Sequence, residues 1–310
     1  MEPRVIVPRA LKYLIAIAEH GNYTRAAEAL HVSQPALSQQ IIQLEEMLQS
    51  HLVDRSGRAI RLTQAGETYL QHARRACGEL AAGVQALHEL EELNCGSLRI
   101  GWTPITDYLT CGFLARFGRR YPGITLHTFV MPQDDIQRAV AEAEVDIGVV
   151  YSEPPRSEAT GEIDRQLLFE EPLCFAVGQS HPRFGQAQAQ ALSAEQLGRE
   201  SLVLLNTGFE LRHIIDRYCA DHAVSPRVAV ETDSLTVVLE LVRQGLLATV
   251  LPRSIAGSQR GLFAIGLSPE MPRNAVTVIC RRGGYKSAAC NAFREFVLES
   301  VADGVSSAAT

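Results

Sequence analysis

The stretch from Thr24 to Leu48, TRAAEALHVSQPALSQQIIQLEEML, constrains this chain more than any other. Ala26, Ala27 and Leu30 make a short apolar face. Leu37, Ile41, Leu44 and Leu48 then recur at intervals of 4, 3 and 4, the spacing of one face of a helix. Two short helices are therefore expected. His31-Val32-Ser33 leaves room only for a tight turn between them, with Ser33 as the N-cap and Pro35 tolerated in the first turn. If the four aliphatic residues face inward, Pro35, Ser38, Gln39, Ile42 and Gln43 point out and Gln34 stands at the exposed start. Few of these carry charge. Amides and hydroxyls on an exposed helix suit hydrogen bonding to base edges in a major groove, where the second helix of a helix-turn-helix lies. The same residues would also serve to start and solvate an ordinary helical hairpin.

The next segment, HLVDRSGRAIRLTQAGETYL, favours the first reading. Leu52-Val53 and Ile60-Arg61-Leu62 flank Ser56-Gly57, which reads as a small hairpin with a glycine turn. Arg55, Arg58 and Arg61 sit in or beside it, and Asp54 is the hairpin's only acid. A basic hairpin next to a helix-turn-helix is a wing, whose arginines can meet phosphates or the minor groove. Upstream, a helix over Pro8–His20 with Leu11, Leu14, Ile15 and Ala18 inward and Gly21 at its end braces the pair. Thr24 caps the next helix and can reach a phosphate, as can Arg25. Downstream, Gln64 to Leu93 lacks proline, and Leu70, Ala73, Cys77, Leu80, Val84 and Leu87 repeat as a heptad seam. Such a narrow stripe needs a partner, so this helix is read as a linker that dimerises the chain and sets two recognition helices on adjacent turns of DNA.

The run AEHGNYTRAAEALHVSQPALSQQIIQLEEML followed by DRSGRAIRLTQAGETYL resembles the amino-terminal domain of LysR-type transcriptional regulators. The resemblance implies that Gln34, Pro35, Ser38 and Gln39 approach bases and that Arg55 lies in the wing. Some family members have arginine where this chain has Gln39. It further implies a tetramer built as a dimer of dimers that bends promoter DNA, with a small-molecule effector altering the bend and so the recruitment of RNA polymerase. Within the family, AEHGNYTRAAEALHVSQPALSQQI, LEEMLQSHLVDRSGRAIRLTQAGE and VVLELVRQGLLATVLP resemble regulators of cyanate-detoxification operons. Cyanate or a similar small anion is the effector this implies.

After Asn94-Cys95-Gly96 the pattern becomes strand, helix, strand, helix, strand, hence a parallel sheet, and a second such series begins near Cys174. The fold class expected is an all-α winged helix-turn-helix domain with a long linker helix, followed by two α/β lobes arranged as in periplasmic binding proteins. The domains are then 6–63 for DNA binding, 64–93 for the linker and 96–310 for the effector. The first lobe is placed at about 96–167 plus 268–302, the second at about 168–267. Ligands in such sheets sit beyond the carboxyl ends of strands, where helix N-termini offer free N–H groups. The candidates are Thr103, Pro132 and Gln133 in the first lobe and Asn206, Thr207, Phe209 and Thr232 in the second. These neutral donors suit a small anion held without a formal cation. Thr103 and Thr232 are equally readable as plain N-caps. Family members often have Ser or Thr where this chain has Pro132, which removes one donor.

The net charge of −6 resolves along the chain into nine Lys/Arg against seven Asp/Glu through Arg75, leaving −8 for the remainder. DNA affinity must then come from locally placed arginines and from dimeric binding. Seven scattered cysteines without a C-x-x-C exclude a zinc site or disulfide framework and fit a reducing compartment. One branch of the resembled family senses peroxide through a cysteine pair, and Cys174 and Cys219 are the only cysteines in the corresponding half. No catalytic motif is present, no cofactor or metal is expected, and no segment is apolar enough to span a membrane. A cytoplasmic regulator is expected rather than an enzyme. A solute-binding protein shares the two-lobe plan but would require an export signal, and the start of the chain carries none.

Overall fold

The computed structural model describes residues 8–55, 60–91, 96–152, 162–185, 191–283 and 285–302. Two compact units divide near Leu93 and Asn94.

The first unit consists of α1 (Arg9–His20), α2 (Tyr23–Ala29), α3 (Gln34–Leu48), the antiparallel pair β1 (Val53–Asp54) and β2 (Arg61–Leu62), and the long α4 (Gln64–Glu91). α1 ends on Gly21 at φ 58°. Its buried face is Tyr13, Leu14, Ala16 and Ile17, whereas Leu11, Ile15 and Ala18, expected inside, are only half-buried. Turning Tyr13 and Ile17 inward buries more apolar area and leaves Lys12 and Glu19 exposed on the other side. α2 is capped by Asn22 rather than Thr24: the Asn22 Oδ1 accepts from the N–H of Thr24 at 2.8 Å and of Arg25 at 3.2 Å. An asparagine one residue before the helix satisfies both donors, leaving Thr24 inside the first turn. The turn into α3 closes with His31 at φ 52° and the Val32 N–H on the Ala27 carbonyl at 3.0 Å, a Schellman motif built without glycine. Ser33 caps α3 as expected.

Leu37, Ile41 and Leu44 fill the core between α1, α2 and β1, but Leu48 is 37% exposed. The helix ends at Gln49, φ 50°, and its last turn leaves the core. The residue buried in its place is Glu45. Its Oε1 accepts the N–H groups of Leu52 at 2.8 Å and Val53 at 3.1 Å, and its Oε2 meets the Arg55 guanidinium at 2.9 Å. Arg55 also donates to the Tyr23 hydroxyl at 3.1 Å, so one buried carboxylate ties α2, α3 and β1 together. Burial alone would raise the Glu45 carboxyl. The hydrogen bonds from Arg55, Val53 and Leu52 outweigh it and hold the group below the ordinary carboxylate value.

α4 starts on Thr63, whose Oγ1 accepts the Gly66 N–H at 3.0 Å and donates to the His51 carbonyl at 2.6 Å. Leu70 and Ala73 of the seam are buried, while Leu80 is 44% exposed.

The second unit opens as β3 (Gly96–Trp102), α5 (Pro104–Arg120), β4 (Ile124–Val130), α6 (Gln133–Ala141), β5 (Ile147–Ser152) and β6 (Ile163–Glu171). The chain then crosses into a second lobe, with β7 (Leu173–Gly178), β8 (Leu192–Ser193), α7 (Ala194–Leu197), β9 (Ser201–Leu205), α8 (Glu210–Asp221), β10 (Arg227–Thr232) and α9 (Leu235–Gln244). That lobe continues through β11 (Ala248–Pro252), α10 (Arg253–Ser258), β12 (Leu262–Ile265) and β13 (Leu267–Ser268). The chain returns to the first lobe as β14 (Asn274–Arg281) and ends in α11 (Ala288–Ala302).

The sheets run β4-β3-β5-β14-β6 and β10-β9-β11-β7-β12. The expected parallel order holds for β4-β3-β5, but β14 is antiparallel to both β5 and β6, so the sheet is mixed. The crossings fall after Glu171 and before Asn274, where the sequence placed them near 167 and 268. One apolar core continues through both lobes: Leu98, Ile100 and Trp102 of β3 pack with Phe113 and Phe117 of α5 and Phe293 of α11, and Phe175 and Leu202 extend it into the second lobe. No helix among the described residues is long and apolar enough to cross a membrane.

Candidate DNA-binding surface and effector cleft

On the first unit, Gln34, Pro35 and Gln39 are exposed and Ser38 is half-buried along the outer side of α3. Gln40 donates to Gln43 at 2.8 Å, which fixes the amide next to them. Ser33 spends its hydroxyl on the Ala36 N–H at 3.4 Å. Thr24 and Arg25 are exposed at the start of α2. The side chains of Arg25 and Arg61 form no hydrogen bond or ion pair among the described residues, so both guanidiniums are open to a phosphate. Arg55 is different, because its fork is already engaged by Glu45 and Tyr23. Spacing gave no sign of this, since the carboxylate lies ten positions upstream on another element. Arg58 lies outside the described residues.

In the second unit the strand ends bring the cleft candidates into two groups. Thr103 is buried as the N-cap of α5: its Oγ1 accepts the Thr106 N–H at 3.2 Å, and its own N–H donates to the Thr106 Oγ1 at 2.9 Å. The Met131 N–H donates to the Trp102 carbonyl at 2.9 Å, which sets Pro132 and Gln133 beside Thr103. Gln133 turns its Oε1 onto the Tyr151 N–H at 3.1 Å. Across from them, the Asn206 N–H donates to the Thr232 carbonyl at 2.8 Å and the Asn206 Oδ1 accepts from Gly208 at 2.9 Å. Thr207 is exposed. Phe209 is buried at the N-terminus of α8 and gives that helix no side-chain cap; its carbonyl accepts the Arg212 N–H at 3.0 Å, and the Glu210 and Leu211 N–H groups have no acceptor among the described residues. Thr232 is not the cap of α9; Ser234 is, and Thr232 accepts the Ser234 N–H at 3.2 Å.

The two groups face each other. A Cβ built on Gly208 would stand 3.8 Å from the Pro132 ring, so loop 206–209 of one lobe lies against loop 131–133 of the other. The nearby cation, Arg212, is neutralised by Asp216 at 2.9 Å and Glu231 at 2.6 Å. Two donors that sequence reasoning missed are the Trp102 Nε1–H and the Tyr151 hydroxyl, both buried without a partner among the described residues. Trp102 aligns with Val149 on β5, two residues before Tyr151, so both side chains stand on one sheet face near the carboxyl ends of their strands. Burial, with Glu171 and Cys174 nearby, pushes the Tyr151 hydroxyl well above its ordinary value and keeps it a donor. The only sequence signal was an aromatic with a polar tip closing an aliphatic strand.

A family described as LysR substrate binding domain matches residues 91–302, and one described as bacterial regulatory helix-turn-helix protein, lysR family, matches residues 8–67. The chain is a LysR-type transcriptional regulator. The RuBisCO operon transcriptional regulator of Allochromatium vinosum is 30% identical to it over 297 residues, covering 95% of this chain and 96% of that one. A full-length variant of OxyR from Pseudomonas aeruginosa has the same fold, with TM-score 0.67, 25% identity and coverage of 97% and 95%. The regulatory domain of CcmR from Synechocystis PCC6803, solved in complex with 2-PG, matches with TM-score 0.58 and 22% identity over 66% of this chain and 97% of that one.

These relatives depart from the cyanate-operon subgroup that the sequence resembled. The regulator's cysteines also fit poorly with peroxide sensing. Cys174 is buried beside Ala176 and Ala256, and burial pushes its thiol up to about 12. Cys219 sits in the larger core, where burial and then Asp216 push it up to about 11. Both are protonated near neutral pH and poor nucleophiles. Among the described residues six cysteines stand outside any disulfide, and Cys95 lies beyond those residues.

Proposed function

We propose that this regulator reads its operator with the outer face of α3 and changes its grip on DNA when a small anion binds between loops 131–133 and 206–209. The observation that carries the reading is the facing pair of loops, with neutral donors on both sides and the uncapped start of α8. The Trp102 and Tyr151 donors add two hydrogen-bonding groups without acceptors among the described residues. With Arg212 already paired, the site favours a compact ligand of low charge over one that requires a free cation.

Support for a small-molecule effector also comes from the fold relationship to a regulatory domain solved in complex with 2-PG, and the relatives named for RuBisCO operons make such an operon the first target to test. The exposed side of Leu80 in α4 fits dimerisation through the heptad seam, and a dimer of dimers that bends the promoter and acts on RNA polymerase completes the scheme. For the ligand to act, it must bind one assembly state more tightly than the other.

The test is footprinting of RuBisCO-type and cyanate-type operators with and without 2-PG, cyanate and chloride. At least one anion beyond chloride should shift the footprint or bend, and no response to any member of the panel removes the effector reading. For DNA, Gln34→Ala and Ser38→Ala should each lower the preference for operator over random duplex by at least about tenfold, as a lost base contact does. Their thermal stability should hold, since neither side chain is bonded to another described residue. Undiminished preference in the double variant would contradict the assignment of α3.

A further inference from the structure

A second site lies at the other end of the first lobe's sheet. Because β14 runs antiparallel to β5, pairing Ala275 with Ser152 and Ile279 with Gly148, its last residues lie where β5 begins. The effector cleft lies beyond the opposite ends, after Trp102 and Val130. Here β6, β14 and α11 enclose a pocket of about 390 Å³ lined by Arg165, Arg282, Arg294, Asp164, Gln166 and Cys280. Three guanidiniums therefore share the space with one carboxylate.

Their bonding is uneven. The Arg282 Nε donates to Asp164 at 2.8 Å. Among the described residues Arg165 donates only to a neutral acceptor, the Gln137 amide oxygen, at 2.5 Å. Arg294 has no hydrogen bond or ion pair among the described residues, and its Nε is buried. A buried guanidinium N–H without an acceptor is unfavourable, and its natural complement is an anionic oxygen. Planar forks of this kind match phosphate in particular. The volume falls in the range of small-ligand sites.

We propose that this pocket is a binding site for a small phosphate-bearing molecule, held by Arg165, Arg282 and Arg294 and separate from the cleft between the lobes. It gives the regulator a second chemical input on a rigid sheet. The input is independent of the effector reading above.

Calorimetric titration of the full-length protein with inorganic pyrophosphate, in chloride buffer of fixed ionic strength, tests the site. The wild type should bind, and Arg165→Gln/Arg294→Gln should bind at least about tenfold more weakly. Asn206→Asp, which places a carboxylate in the cleft, should leave that affinity unchanged. Arg165→Gln alone removes an exposed side chain with one neutral partner, so it keeps the test open if the double variant fails to fold, and it too should weaken binding several-fold. Three results would each overturn the proposal: no binding by the wild type, unchanged affinity in the arginine variants, or affinity lost only in Asn206→Asp.

Discussion

Gly66→Ala is expected to abolish operator binding while the effector-binding unit stays folded. The Cβ added at Gly66 would lie 2.0 Å from the Leu52 carbonyl oxygen and 2.9 Å from its carbon. These are backbone atoms, so no side chain can rotate away, and the first turn of α4 must move off β1. That movement would also strain the Thr63 hydroxyl, which bridges His51 and Gly66. Overpacking of this kind costs about 1–3 kcal/mol where neighbours relax, and a clash between main chains belongs at or beyond the top of that range. Gly83→Ala, in the same helix with nothing within 4 Å, is the control. It should stabilise by up to about 1 kcal/mol, because alanine is the better helix former. Thermal denaturation of both variants, followed by operator gel shifts, compares them directly. Operator affinity in Gly66→Ala equal to wild type would mean that the contact of α4 with Leu52 is not as described.

Glu45→Ala is the second change with a large expected effect. It orphans the N–H groups of Leu52 and Val53, at roughly 1–3 kcal/mol each, and releases Arg55 from its carboxylate. Arg55 keeps 40% of its side chain exposed, so water recovers part of the guanidinium's loss. The effect should also depend on pH in a definite direction. The Glu45 carboxyl is held below its ordinary value of 4.5 in the folded state, so its contribution is full above that value and fades as pH falls through the lower folded value. The stability gap between wild type and Glu45→Ala should therefore be widest near neutrality and narrow in acid. A gap independent of pH from 7 to about 3 would show that the carboxylate's charge is not what holds the clasp.

The two variants also show why some features were readable in the sequence and others were not. Leu37, Ile41 and Leu44 announce α3 because helical spacing is a local property, and Thr103-Pro104 announces α5 because its cap is two adjacent residues. Glu45 falls beside that apolar face, yet a lone acid in a helix reads as surface until the wing's N–H groups are known to be waiting for it. β6 escaped notice for another reason. It is an edge strand, with Arg165, Gln166 and Leu167 all exposed, so neither face keeps the strict alternation that identifies a half-buried strand. Thr103, Pro132 and Asn206 could be nominated from strand ends. The unpartnered donors of Trp102 and Tyr151, by contrast, depend on what the rest of the lobe fails to supply.

The passage of the chain out at Pro172 and back before Asn274 means that the second lobe is a guest inserted into an interrupted host. Its entrance and exit are neighbouring strands, since Asn274 pairs with Glu171. The guest's main-chain connections are two short tethers that emerge from the same edge of the host, so any reorientation is set by how far the shared apolar core and the Tyr108 bonds to Ser258 and Gln259 can shear. Whatever the guest closes upon, the host's own strand order need not be disturbed.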